Sequence, residues 1–206
     1  MIVSGLHQFI FAAIPKTGTH AVRQALRAHM GPQDLEQVGL FVQRKFPIAE
    51  LASIGHGHVT LQQIRPYIRP EEWDGYFKFA FVRNPFDRFV SYCAFMTRAH
   101  GEFTENPHAV MRHFLENPPR RHILFQPQHS FVTGLEGTLL TDYLGRVEQM
   151  QESYDQIASR IGIPSQQLEK VNSSSRSSYR QYYDQQLIDG VAQLYARDIE
   201  LFGYEF

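Results

Sequence analysis

The stretch Phe9 to Arg23, FIFAAIPKTGTHAVR, restricts this chain more than any other. It opens on an unbroken apolar run, Phe9 to Ile14. It leads into a pattern of helical spacing, with Val22, Ala25, Leu26 and Met30 at i, i+3, i+4 and i+8. Pro15, Lys16, Thr17, Gly18, Thr19 and His20 lie between the two. This order predicts a buried strand, a tight turn carrying a lysine, and a helix N-terminus. Backbone N–H groups at such an N-terminus point at whatever sits there, and the helix dipole favours an anion. Gly18 lets the backbone come close, Thr17 and Thr19 bring hydroxyl donors, and Lys16 adds a full charge. The stretch therefore reads as a cradle for a phosphate or a sulfate.

Size and charge narrow the company such a cradle keeps. A chain of 206 residues fits a single domain, 1–206, with enough length to bury a core. Its 43% apolar and 13% aromatic content excludes a disordered chain. A formal net charge of -1 gives no bulk attraction to nucleic acid or an anionic membrane, so no nucleic-acid partner is expected and any basic site is local. The one cysteine, Cys93, leaves no partner for an internal disulfide, points to a reducing compartment, and reads as a small buried residue on a helix. No apolar run approaches the ~20 residues of a membrane span. A basic leader with a cleavage site is absent from the first residues. The expectation is a cytoplasmic protein without a membrane span, its oligomeric state open.

Along the chain, Met1 to Gln8 leads into the first strand, Phe9 to Ile14. A helix is expected from Thr19 to Met30, stopped by Gly31-Pro32. Asp34 to Ile54 reads as mixed and partly helical, interrupted at Pro47. Gly55 to Thr60 reads as a short flexible piece before Leu61 to Ile64. A second strong strand is predicted over Gly75 to Arg83, nearly all apolar at its end as a central parallel strand should be. Asn84 is a good N-cap and Pro85 suits the first helical position, opening a helix to about His100. Further helices are expected over Asn106 to Glu116, Glu148 to Ile161 and Asp184 to Leu201, with a third strand within Thr138 to Val147. Strand, loop and helix repeated with strongly apolar strands predict an α/β layer fold. Ligands of such sheets sit beyond the carboxyl ends of the strands. The Lys16 loop and Arg83 both follow strands, so both are expected at one edge.

The lysine loop is not a nucleoside-triphosphate P-loop, in which the lysine follows the glycines and a hydroxyl serves magnesium. Alone, Pro15 to Gly18 is also compatible with an ordinary turn. A second stretch, Val82-Arg83-Asn84-Pro85-Phe86-Asp87-Arg88-Phe89-Val90-Ser91-Tyr92, places an arginine at a strand end and a serine about two turns into the next helix. A guanidinium and a hydroxyl are a familiar pair around one phosphate.

These two stretches, P-K-T-G-T and R-N-P-x-x-R-x-x-S-x-Y, resemble the two donor-binding motifs of sulfotransferases that use 3′-phosphoadenosine 5′-phosphosulfate. The resemblance extends to Gly145-Arg146-Val147-Glu148, to Asn172 through Arg176 before Tyr179, and to the C-terminal Leu201-Phe202-Gly203-Tyr204. The chain is most similar to the carbohydrate branch, which includes the chondroitin and heparan sulfate 2-O-sulfotransferases. The resemblance implies a three-layer, P-loop-like fold with a central, mostly parallel sheet flanked by helices. It implies that Lys16, Thr17, Gly18 and Thr19 hold the 5′-phosphosulfate, with Lys16 on the leaving oxygen. Arg83 and Ser91 would hold the 3′-phosphate, and Ser174 and Arg176 would belong to a segment that closes over the nucleotide. The family usually has a second hydroxyl where this chain has His20, whose ring is still a donor.

Transfer to a hydroxyl requires a base, and a histidine with an unperturbed pKa of ~6.5 suits that work. Gly55-His56-Gly57-His58-Val59 resembles the H-G-H-V pattern of the heparan sulfate 2-O-sulfotransferases, which implies His58 as base and His56 as a supporting residue on the acceptor side. Two histidines this close also suit zinc, but no cysteine or carboxylate set beside them completes a site, and no metal is expected. Arg120, Arg121, His122, Gln128 and His129 form a basic and polar cluster, read as a surface for a small-molecule or glycan acceptor. The leading expectation is a sulfotransferase acting on a hydroxyl of a glycan or glycolipid. A nucleotide-binding module without transfer activity and a small-molecule P-loop kinase are the alternatives.

Overall fold

The structure, a computed structural model, describes residues 1–40, 42–169 and 178–206. Its strands are β1 (Ile2–Ser4), β2 (Phe9–Ala12), β3 (Leu35–Glu36), β4 (Val38–Leu40), β5 (Val42–Arg44), β6 (Phe77–Val82) and β7 (Tyr143–Arg146). Its helices are α1 (Thr19–Arg27), α2 (Ala49–Ala52), α3 (Leu61–Ile64), α4 (Pro70–Gly75), α5 (Pro85–Met96), α6 (Glu102–Glu105), α7 (Pro107–Glu116), α8 (Met150–Arg160), α9 (Gln185–Leu194) and α10 (Ala196–Phe202). The internal contacts fall into two units, Met1–Val82 with Ser130–Val171, and Arg83–His129 with Asn172–Phe206.

The first unit is an α/β layer structure. Its central sheet has the order β3-β1-β2-β6-β7. β2 pairs in parallel with β6, and β6 with β7, whereas β1 is antiparallel to both β2 and β3. Four of the five strands therefore share one direction, and the carboxyl ends of β2 and β6 lie at one edge of the sheet. Alternation assigns the faces. Phe9, Phe11, Phe79 and Phe81 enter one cluster with Ala21, Val22, Ala25 and Leu26 of α1 and with Tyr154, Ile157 and Ala158 of α8. The Phe11 and Phe79 rings stack at 5.2 Å. Ile10, Ala12 and Ala80 on the opposite face are fully buried. There Lys78 donates its ammonium to the carbonyls of Trp73 and Tyr76, which ties α4 to that side.

Two parts of this unit differ from the sequence expectation. Met1 to Gln8 contains β1 and does more than lead into β2. The stretch 34–54, read as mixed and partly helical, holds the short helix α2 and also three short strands: β3 joins the central sheet, and β4 and β5 form a hairpin. β-branched Val38 and Val42 favour the extended form locally. Glu36 enters the sheet buried because Arg27 grips its carboxylate through Nε and Nη2 at 2.8–3.0 Å.

The second unit is helical, with α5, α7 and α9 around an aromatic core of Phe86, Phe89, Tyr92, Phe125 and Tyr195. Cys93 lies inside it, and burial pushes its thiol well above the usual range. The single C-terminal helix expected over 184–201 is two helices. The chain breaks at Tyr195, which is buried and donates its hydroxyl to the Phe125 carbonyl at 3.0 Å.

Candidate functional site

In the first unit β2 continues through buried Ala13, Ile14 and Pro15 into the lysine turn. Lys16 and Gly18 both take left-handed backbone, with φ of 67° and 69°. A lysine seldom adopts that conformation, and Gly18 adopts it without strain. Gly18 is the N-cap of α1, followed directly by half-buried Thr19 and His20. Thr17 is placed differently from the sequence reading. It is fully buried, and its hydroxyl proton goes to the Ile14 carbonyl at 3.0 Å. The hydroxyl thus fastens the turn to the strand end. The Met150 side chain, from the start of α8, lies against Gly18, where a Cβ would stand 2.5 Å from its Cε.

The H-G-H piece packs beside this turn. His58 is half-buried, and its Nδ1 lies 2.7 Å from the carbonyl oxygen of Ala13. A carbonyl only accepts, so Nδ1 carries the proton and Nε2 keeps its lone pair. Burial pushes His58 down to about 3, with nearby positive charge adding to the effect and the Ala13 bond opposing it. His58 is thus neutral across the physiological range. Its backbone N–H donates to Nδ1 of His56 at 3.3 Å, which leaves the His56 proton on Nε2. The two rings lie 5.9 Å apart, and burial lowers His56 as well.

Two residues that the sequence reading did not single out hold this piece in place. Arg23, buried in the middle of α1, donates to the Gly57 carbonyl at 2.7 Å and to the Gln37 carbonyl at 2.8 Å. Burial lowers its guanidinium to about 10, so it stays charged at neutral pH. Gln37 donates its amide to the carbonyls of Leu51 at 2.6 Å and His56 at 3.0 Å, and accepts from Phe46 N–H. The signal available in the sequence was an arginine between Val22 and Ala25 on an otherwise apolar helix face.

In the second unit Asn84 caps α5 by accepting from Phe86 N–H at 3.0 Å, with Pro85 next to it. Arg83 donates Nε to Asp87 at 2.7 Å, one helical turn on. Ser91 is buried on α5. Gln128, expected on the acceptor surface, is fully buried and holds Arg83 by its backbone. Its Oε1 accepts from Arg83 N–H and its Nε2 donates to the Arg83 carbonyl, both at 2.9 Å. Buried Asp198 anchors Gln128 in turn, accepting from the N–H groups of Gln128 at 2.7 Å and His129 at 2.8 Å. Arg88, the second arginine of the motif, is buried and donates to the carbonyls of Leu124 and Gln126. Arg120 and Arg121 are exposed. Ser174 and Arg176 lie outside the described residues.

Among the described residues no group of three or more His, Cys, Asp or Glu stands ready to hold a metal ion. No helix among them is long and apolar enough to cross a membrane.

Comparison with known proteins places this geometry in a family. An uncharacterized protein of Archaeoglobus fulgidus is 26% identical over 117 residues, which is 57% of this chain and 93% of that protein. No solved structure matches the chain. The model of the sulfotransferase family matches residues 1–205, across both units. A strand that ends in a lysine turn, with a ring-anchored histidine beside it, thus sits in a chain that belongs to the sulfotransferase family.

Proposed function

We propose that this protein transfers a sulfuryl group from 3′-phosphoadenosine 5′-phosphosulfate to a hydroxyl of a glycan or glycolipid, with His58 as the base. One observation carries the reading. The carbonyl that fixes the His58 ring belongs to Ala13, three residues before Lys16 on the same strand end. A proton acceptor and a leaving-group cation are thereby held on one short piece of backbone.

The residues fit the donor. The N-cap of α1 is a left-handed glycine, and the turn before it carries Lys16. This arrangement favours an anion at the helix N-terminus. By motif, Lys16, Gly18, Thr19 and His20 take the phosphosulfate end, and Arg83 and Ser91 take the 3′-phosphate. When bound, the donor supplies a sulfuryl group that passes in line to the acceptor oxygen, with adenosine 3′,5′-bisphosphate leaving. Lys16 and the start of α1 stabilise the negative charge that grows on the departing oxygen. Nε2 of His58 takes the acceptor proton. A conjugate acid near 3 makes a weak base, and negative charge brought close to the ring would raise that value.

The test is release of adenosine 3′,5′-bisphosphate from the sulfated donor against a panel of hydroxyl acceptors. His58→Asn is the informative variant, because the asparagine amide takes the place of Nδ1 and still donates to Ala13, while Nε2 is gone. The expected result is bisphosphate affinity close to wild type with turnover reduced about 10²–10⁴-fold. Lys16→Ala should lose about 10²–10³-fold in turnover. Full turnover by His58→Asn would remove His58 from the base role. Bisphosphate binding without release from the sulfated donor by the wild type, whatever the acceptor, would identify a nucleotide-binding module instead.

A further inference from the structure

Asp87 stands between the two residues that the donor reading gives to the 3′-phosphate. It lies in the first turn of α5, four residues after Arg83 and four before Ser91. Residues four apart share a helix face, so Asp87 and Ser91 lie on one side of α5. Arg83 reaches the same side, because its Nε donates to Oδ2 of Asp87 at 2.7 Å. A carboxylate in that place opposes an incoming anion by charge.

The surroundings hold Asp87 still. Asn84 accepts from Phe86 N–H, Arg88 N–H bonds back to the Asn84 carbonyl at 2.8 Å, and Pro85 fixes the backbone between them. Tyr183 donates its hydroxyl to the Phe86 carbonyl, also at 2.8 Å. The ion pair is mostly shielded, with 17% of the Arg83 side chain and 27% of the Asp87 side chain exposed. Exposed pairs at this spacing are loose and contribute little, whereas a shielded one this short sets geometry. Gln128 holds the Arg83 backbone by its N–H and its carbonyl. Backbone and head group are thus both fixed, and the torsions between them keep little freedom. A guanidinium donates in its own plane, and the Nε bond to Asp87 sets that plane.

We infer that Asp87 is a positioning residue for recognition of the 3′-phosphate: it fixes the plane of the Arg83 guanidinium, and the order so gained outweighs the repulsion between carboxylate and phosphate. The inference rests on the reading of Arg83 as a 3′-phosphate ligand. Parallel N–H bonds to a phosphate need the plane to be right, and an arginine ordered in advance loses less freedom on binding. Asp87 thereby helps the site tell a 3′-phosphorylated nucleotide from one with a plain 3′-hydroxyl.

Calorimetry of the full chain with adenosine 3′,5′-bisphosphate and with adenosine 5′-monophosphate tests this. The quantity read is the ratio of the two affinities, which isolates the 3′-phosphate. Asp87→Ala should lower that ratio about tenfold or more while the monophosphate binds as it does to wild type, which also establishes that the variant folds. Asp87→Ser, too short to reach Nε, repeats the measurement should the alanine variant fail to fold. In an Arg83→Ala background, Asp87→Ala should leave the ratio level or raise it, since only the repulsion remains to be removed. A level or raised ratio in Asp87→Ala alone overturns the inference. Equal weakening of both nucleotides does so too, as does the same fall with Ala in place of Arg83. A wild type that binds the two nucleotides equally would overturn the reading of Arg83, and the inference with it.

Discussion

The imidazole of His58 is fixed to the backbone carbonyl of Ala13 through Nδ1 at 2.7 Å, so the tautomer and the ring orientation are both set by the strand that leads into Lys16. This bond and the burial around it have a consequence for stability. An unfolded histidine titrates near 6.5, whereas burial holds folded His58 at about 3. Between those values the unfolded chain holds more protons than the folded one, so stability rises with pH there. The contribution is complete above about 6.5 and is lost as the pH falls toward 3, at up to about 1.4 kcal/mol per pH unit for one group. Burial lowers His56 too, and it acts in the same direction. Urea unfolding at pH 7 and pH 4.5 should show a larger loss for wild type than for His58→Asn. Equal losses would place the pH dependence elsewhere.

Arg23 supports the same histidine from behind. Its hydrogen bonds go to the Gly57 and Gln37 carbonyls, and its charge helps to lower the His58 ring. Arg23→Ala leaves those carbonyls unpaired in a buried place and takes one cation from buried Glu36, a loss of about 3–5 kcal/mol by analogy with other broken buried pairs. Arg23→Lys keeps the charge but lacks the fork that reaches two carbonyls. It should fold and lose turnover more than acceptor or donor affinity, since the piece it positions carries the base. A lysine variant with wild-type kcat would show that the clamp is dispensable for chemistry.

Gln128 makes the corresponding prediction for the 3′-phosphate end. Its amide meets both the N–H and the carbonyl of Arg83. Gln128→Leu fills the space and leaves both backbone groups without that partner, at about 1–3 kcal/mol each. Calorimetry should find adenosine 3′,5′-bisphosphate bound about tenfold more weakly or worse, because the arginine is no longer held. Arg120→Ala/Arg121→Ala changes two exposed residues and should leave that affinity as it is. The reverse ranking would move donor recognition to the basic cluster.

These predictions separate what a sequence can show from what it cannot. β2, the lysine turn and α1 were legible because an unbroken apolar run and a helical period need no tertiary context to be seen. β6 and the Asn84-Pro85 cap were legible for the same reason. β3 was not, because Glu36 is buried only once Arg27 and Arg23 meet it, and those arginines are nine and thirteen residues away. The break at Tyr195 depends on Phe125, 70 residues earlier. Gln128 looked like a surface group among arginines and histidines, and its partner is the backbone of a residue 45 positions back. Motifs name side chains that meet a ligand. Arg23, Gln37, Gln128 and Asp198 act on carbonyls, N–H groups and one another, and their places follow only from the folded chain.

Two glycines near the base require glycine for different reasons, and the difference can be measured. Gly18 has φ of 69°, a conformation that costs an alanine about 1–2 kcal/mol. The atom its Cβ would meet is the end of the Met150 side chain, which is flexible and moves aside. Gly57 has no such φ, but a Cβ there would stand 2.4 Å from the Gln37 carbonyl oxygen and 2.6 Å from Nη2 of Arg23. The first of these is backbone pinned between strands, and the second is already bonded to Gly57, so neither yields without undoing the clamp. Gly57→Ala should therefore cost more than Gly18→Ala, at or above the ~3 kcal/mol upper end for overpacked sites. Met150→Ala should relieve only a minor share of the Gly18→Ala loss. Urea denaturation of the three variants and of the Gly18→Ala/Met150→Ala pair decides the matter. A Gly57→Ala protein more stable than Gly18→Ala would mean that the histidine piece is not clamped as the geometry requires.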